Sequence, residues 1–180
     1  MKYCRINPYY PISEDDIEKF AEQAEEQNRP DETLVFHRVA KPPTKFVKDM
    51  VRLGRKLDLK LSFVAMFTGQ EGKLTNVHID GTPNNRLPWR VCYYAKGEPA
   101  LLSWFEDENL INEVEDLYTV AKAENKVHTE LLDMHSAFVR TDIPHQLDMR
   151  NCKEQRLTIL AHFTPEISWD ELMKRLDNLE

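Results

Sequence analysis

The run LKLSFVAMF, residues 59–67, marks the point where the texture of the chain changes. Before it, apolar residues recur at helical spacing; from it onward, short β-like runs alternate with turn signals. KLTNVHI (73–79), WRVCYYA (89–95), ALLSWFE (100–106), LYTVA (117–121), KVHTELLDM (126–134), AFVRT (137–141), HQLDM (145–149) and RLTILAHF (156–163) continue the series. About nine strands in roughly 105 residues is the spacing of a sandwich or barrel. Only DENLINEVEDL (107–117) interrupts it, as an inserted helix or a loop.

Upstream, SEDDIEKFAEQAEEQ (13–27) is expected to be a helix. Ser13 caps it, acids fill its first turn, and Ile17, Phe20, Ala21 and Ala24 make one face. TLVFHRV (33–39) reads as a strand, and TKFVKDMVRLGRKL (44–57) as a second helix. Pro42 and Pro43 set its start, and Phe46, Val47, Met50, Val51 and Leu57 form its stripe. Downstream, SWDELMKRL (168–176) closes the chain as a helix, with Ser168 and Glu171 in a capping box. The expected organisation is a single domain over 1–180. Residues 1–58 carry strands and helices that pack on a β core at 59–164, and 165–180 hold a C-terminal helix.

At 180 residues, 41% hydrophobic and 31% charged, the chain can bury a core without staples. A net charge of −7 supplies no electrostatic footprint for nucleic acid. Cys4, Cys92 and Cys152 are too few and scattered for a disulfide framework, which fits a reducing cytoplasm. No apolar run reaches the roughly 20 residues of a membrane span, and no signal-peptide hydrophobic region is present.

The candidate chemistry begins at NVHIDGTP (76–83). Residues i and i+2 of a strand share a face, so His78 and Asp80 project together. Alone, His-x-Asp is as readily a hydrogen-bonded strand end, and VHTE offers a rival pair in His128 and Glu130. The rival lies too near His145 for three strands to intervene. His145 opens a later strand after Pro144, and Arg156 follows in RLTILAHF. Two imidazoles and one carboxylate make the facial triad of non-haem Fe(II) oxygenases, which leaves adjacent positions open for a bidentate cosubstrate and O2. A buried arginine nearby then holds the cosubstrate's far carboxylate. Arg156 leads an alternation in which Thr158, Leu160 and His162 share its face, and Leu157, Ile159 and Ala161 share the other. Both faces are partly apolar, so period alone does not say which is exposed.

In HID (78–80), PHQLD (144–148) and RLT (156–158), the chain resembles the Fe(II)/2-oxoglutarate-dependent oxygenases. The resemblance covers about residues 60–164 and implies a double-stranded β-helix (jelly roll) with flanking helices. It implies His78, Asp80 and His145 as ligands of Fe(II), and so as the catalytic centre. RLT is similar to the family's Arg-x-Ser/Thr, in which both side chains hold the C5 carboxylate of 2-oxoglutarate, here Arg156 and Thr158. WRVCYYAKGEPALLSWFE (89–106) is similar to a strand pair of prolyl-hydroxylase-like members, where a tyrosine at the spacing of Tyr94 reaches the same carboxylate. Packing is the alternative for Tyr94. The pattern also resembles small oxygenases encoded by phages of marine cyanobacteria, which often carry an asparagine where this chain reads Arg90-Val91-Cys92. That departure leaves the C1 end of 2-oxoglutarate without an assigned partner. The implied activity is oxidative decarboxylation of 2-oxoglutarate to succinate and CO2, coupled to oxidation, usually hydroxylation, of a peptide, amino acid or small metabolite. The alternative is a metal-binding, cupin-like jelly roll without turnover. Trp89, Trp104 and Phe105 are expected to pack in the core or at its rim, with a place at a substrate entrance as the alternative. His37, His128, His135 and His162 are expected to be structural or exposed.

Overall fold

The computed structural model of the protein describes residues 3–27, 32–39, 41–82, 85–106, 109–114, 118–132 and 136–179. In chain order its elements begin with β1 (Cys4–Ile6), α1 (Glu14–Glu25), β2 (Leu34–Arg38), α2 (Thr44–Lys56) and β3 (Lys60–Gly69). Then come β4 (His78–Thr82), β5 (Asn85–Arg86), β6 (Trp89–Lys96), β7 (Ala100–Phe105), β8 (Asn109–Val114) and β9 (Tyr118–Lys122). The chain continues through β10 (Lys126–Leu132), β11 (Ser136–Arg140), β12 (His145–Asp148), β13 (Arg156–Thr164) and α3 (Trp169–Asp177).

The helices start where local chemistry allows. Ser13 accepts from the Asp16 N–H and Ser168 from the Glu171 N–H, each satisfying an otherwise orphaned donor. Pro43 precedes α2 with no side-chain cap, its fixed φ supplying the entry. α1 buries Phe20 and Ala24, α2 buries Phe46, Met50 and Leu53, and α3 buries Trp169, Leu172 and Leu176. Val47 and Val51, expected in the α2 stripe, are only half-buried; Leu53 takes the central place.

The strands form two antiparallel sheets. The first runs β1-β11-β6-β13-β3-β2, and the second β10-β7-β12-β4-β9-β8, with β5 paired to β4. The architecture is mainly β, a jelly-roll-like core with flanking helices. The N-terminal strands belong to the core itself: β1 pairs with β11 and β2 with β3. One face of the first sheet packs under the helices, joining Met66, Val91, Tyr93, Leu157, Ile159, Ala161 and Phe163 to Phe20, Phe46, Met50, Leu53 and Leu172. Each large apolar side chain so buried contributes about 1.5–3 kcal/mol relative to exposure. Its other face meets the second sheet, where Tyr3, Cys4, Ala137 and Val139 pack on Leu102, Trp104 and Leu132.

Two expectations change. Within 107–117, residues Asn109–Val114 are a strand on the edge of the second sheet, paired with β9; no helix or free loop occupies them. The apolar spacing of Leu110, Ile111 and Val114 suits a helix, but pairing to a neighbouring strand overrides so weak a preference. KLTNVHI contributes less strand than expected. Pairing begins at His78, preceded only by an isolated bridge from Leu74 to Asp148. Among the described residues no helix is long and apolar enough to cross a membrane, and Cys4, Cys92 and Cys152 are free thiols.

Candidate metal centre

β4 opens on His78 and β12 on His145, and antiparallel pairing sets these two residues directly opposite each other. Asp80 lies two residues along β4 on the same face. Its backbone is fixed at both ends: its N–H donates to the Thr141 carbonyl (3.0 Å), and its carbonyl accepts from the Leu87 N–H (3.0 Å). The three side chains converge, with one ligand atom from each lying within 4.8 Å of the others. Asp80 Oδ1 is 3.9 Å from His78 Nε2 and 3.7 Å from His145 Nε2.

Both imidazoles are oriented by the same device. His78 Nδ1 lies 2.9 Å from the Asn76 carbonyl, and His145 Nδ1 lies 3.0 Å from the Ile143 carbonyl. A carbonyl only accepts, so Nδ1 carries a proton and Nε2 is the ring nitrogen each histidine turns toward Asp80. Orientation by a backbone carbonyl is the usual support behind a metal-ligating histidine. Burial, with His78 beside it, pushes the His145 pKa down to about 4, so this imidazole is neutral at neutral pH. The donor set fits a divalent ion.

The triad opens into a cavity of about 510 Å³ between the two sheets, and Arg156, Thr158 and Tyr94 line it as well. Alternation along β13 aims Arg156, Thr158, Leu160 and His162 inward. Thr158 sits opposite Tyr94 on one side and Phe67 on the other. Arg156 is 2% exposed. Its Nη1 donates to the Glu98 carbonyl (2.7 Å) and its Nη2 to the Leu132 carbonyl (3.0 Å), while Nε makes no hydrogen bond. Among the described residues no carboxylate lies within ion-pair distance of it. Burial pulls its pKa down, yet a guanidinium stays cationic in a protein. A buried cation without a counterion is costly, and an anionic ligand relieves that cost. Tyr94 meets Arg156 through its ring face, with the guanidinium carbon 4.4 Å from the ring centroid. Gly97, in the turn after β6 and at φ 93°, permits this seating: a Cβ there meets Gln155 O at 2.5 Å and Arg156 Cα at 2.8 Å.

The cavity also holds residues to which the sequence reading gave no role in the site. Arg90, on β6, is buried with its Nε 3.3 Å from Asp80 Oδ2, an ion pair not aligned as a hydrogen bond. Its Nη1 lies 2.8 Å from His162 Nδ1. His162, expected to be structural or exposed, lines the cavity instead. Burial and the Arg90 charge push its pKa down to about 4, and its Nε2 lies 3.5 Å from Glu166 Oε1. The signal was the two-residue period, since His162 follows Arg156 on one face and Arg90 precedes Tyr94 on another. Cys92 lines the cavity as a thiol, its pKa raised to about 12 chiefly by burial.

The other candidates fall into structural places. His128 and Glu130 pair with each other at 3.2 Å on β10, partly exposed and apart from the triad. His37 is buried against the Thr68 hydroxyl, and His135 lies outside the described residues. Trp89, Trp104 and Phe105 are buried, the first two donating to the Ile167 and Arg140 carbonyls.

Two antiparallel sheets closing over a His-Asp-His cluster define the class: a jelly-roll-like β protein with a candidate metal centre. No protein family and no curated protein sequence matches the chain. Among solved structures it is similar to a prolyl-4-hydroxylase from Pseudomonas putida, with a TM-score of 0.51 and 13% identity over 89% of this chain and 91% of that one. It is also similar to ycfD from E. coli, with a TM-score of 0.51 and 14% identity over 96% of this chain and 52% of that one. The chain therefore spans about half the length of the E. coli protein. At such identities the likeness is one of fold. Neither source is a phage, so the resemblance to phage oxygenases gains no support from them.

Proposed function

We propose that the protein is an Fe(II)/2-oxoglutarate-dependent oxygenase that oxidises a peptide, amino acid or small metabolite, most simply by hydroxylation. The observation that carries this reading is the sharing of one cavity by the His78–Asp80–His145 cluster and the buried Arg156, which has no carboxylate partner among the described residues. In it, His78, Asp80 and His145 hold the iron. Arg156 binds the distal carboxylate of 2-oxoglutarate through the N–H groups its two backbone contacts leave over, a guanidinium having five. Thr158 supplies a hydroxyl beside that carboxylate, and Tyr94 backs the guanidinium and adds its own hydroxyl. Leu102, Leu132 and Leu160 keep the intervening wall apolar, which strengthens the charge-assisted bonds at its end. Bound iron and 2-oxoglutarate supply the oxidising chemistry, with succinate and CO2 as the coproducts. The fold shared with a prolyl-4-hydroxylase supports the reading by analogy.

A second reading is a metal-binding jelly roll without turnover. It draws on the two backbone carbonyls that occupy Arg156, since they also suit a purely structural staple between the β6–β7 turn and β10. Anaerobic addition of Fe(II) and then 2-oxoglutarate separates the two. The oxygenase reading expects the weak visible charge-transfer band of a chelated keto acid. Metal uptake without that band selects the second reading.

A further inference from the structure

We propose that Arg90, held in place by His162, is a positioning residue that keeps Asp80 a one-oxygen ligand and so preserves an open position on the metal. This rests on the reading of His78, Asp80 and His145 as ligands.

A carboxylate has two oxygens and can chelate an ion with both. Here the two have different surroundings. Oδ1 faces both imidazole Nε2 atoms, at 3.9 and 3.7 Å, while Oδ2 faces Arg90 Nε at 3.3 Å. The ion pair is withdrawn from water, with side-chain exposures of 7% for Arg90 and 16% for Asp80, so its attraction is weakly screened. Arg90 Nε makes no hydrogen bond elsewhere, which leaves Asp80 as its counterpart.

Arg90 is itself immobilised. Its Nη1 donates to His162 Nδ1 at 2.8 Å. An arginine cannot accept, so Nδ1 of His162 is the acceptor and the imidazole proton sits on Nε2, facing Glu166 Oε1 at 3.5 Å. Phe63 covers the pair: the Arg90 guanidinium carbon lies 5.8 Å from its ring centroid, and the His162 ring lies 4.9 Å away. The resulting row is Asp80–Arg90–His162–Glu166. By itself a cation beside a metal site opposes metal binding. What this one provides is orientation. If Oδ2 is released, Asp80 rotates to chelate and takes one of the positions that a bidentate cosubstrate and O2 require. Arg90 is thereby assigned to the metal's carboxylate.

The test uses the full chain loaded with Mn(II), counting exchangeable waters on the metal from EPR line broadening in 17O-water. Relative to the parent, Arg90→Met is expected to lose one water. His162→Phe removes the acceptor that fixes Arg90 and is expected to lose the same water. His162→Gln, which still offers an acceptor oxygen, is expected to keep it. A folded Arg90→Met variant with the parent's water count overturns the proposal. If Arg90→Met does not fold, His162→Phe decides by the same count. Parent protein that takes up no Mn(II) overturns the ligand assignment and this proposal with it. Mn(II) uptake with an unchanged water count in the variants overturns this proposal alone.

Discussion

The two faces of the first sheet are made by the same strands and serve opposite ends. Along β13, Leu157, Ile159, Ala161 and Phe163 point beneath the helices into a dry apolar layer. Arg156, Thr158, Leu160 and His162 alternate with them and point into the cavity. β6 repeats the division, with Val91 and Tyr93 on one side and Arg90, Cys92 and Tyr94 on the other. The dry face supplies stability by removing apolar area from water. The cavity face places a guanidinium, hydroxyls and an imidazole where water is scarce, at a cost the dry face offsets. A single sheet thus serves as both scaffold and site, and the two roles should be separable by mutation.

The largest effect should come from the dry face. Phe163 is 1% exposed and lies against Trp89, with ring centroids 6.0 Å apart. Phe163→Ala should cost about 3–5 kcal/mol of stability in urea denaturation, while Mn(II) affinity of the folded protein stays unchanged. Loss of metal binding from that variant while it remains folded would break the division.

The cavity face should respond in the opposite sense. His78→Ala and His145→Ala should each lower Mn(II) affinity in equilibrium dialysis by more than about 100-fold, beyond the loss seen when only a ligand's supporting partner is removed. Stability should change little, because the apolar layer under the helices contains neither residue. Parent-like binding by both variants would remove the triad from the account.

A smaller effect should appear with pH in the metal-free protein. The His145 and His162 pKa values lie near 4 in the fold, against 6.5 for a free imidazole. The unfolded chain therefore takes up these protons first as pH falls. Their effect on stability is absent above about 6.5, and stability is lost progressively between 6.5 and 4. For His145 the loss at pH 5 should be on the order of 2 kcal/mol. Comparing parent and His145→Ala in urea at pH 7.5 and pH 5 isolates it, since the variant should lose less stability on acidification. Equal losses would mean that His145 is not buried as a neutral base.

Much of this was legible because alternation and turn chemistry are local. Most strands from Lys60 onward, the Ser13 and Ser168 caps and the shared face of His78 and Asp80 follow from periods of two and 3.6 and from residue type, whereas His145 joined them through the family resemblance and meets them by the pairing of β12 with β4. Two things were not. Which face of RLTILAHF meets the cavity could not be read, because both are buried: helices cover Ile159, and the second sheet faces Leu160. Within 107–117 the helix-like spacing misled, since pairing with β9 is a tertiary fact that propensity does not encode. Arg90 and His162 were on the right faces, but their contact depends on β6 and β13 being neighbours, which sequence order alone does not reveal.

The central claim is that the cavity face holds 2-oxoglutarate as well as a metal, and Arg156 tests it most directly. Calorimetry with 2-oxoglutarate on the anaerobic, Fe(II)-loaded protein should show binding by the parent. In Arg156→Ala that binding should be weaker by about an order of magnitude or more, since a charge-assisted hydrogen bond contributes roughly 1.5–3 kcal/mol. Metal affinity should be retained, because the arginine lies outside the triad. Unchanged 2-oxoglutarate affinity in the variant, or no binding by the metal-loaded parent, would contradict the account.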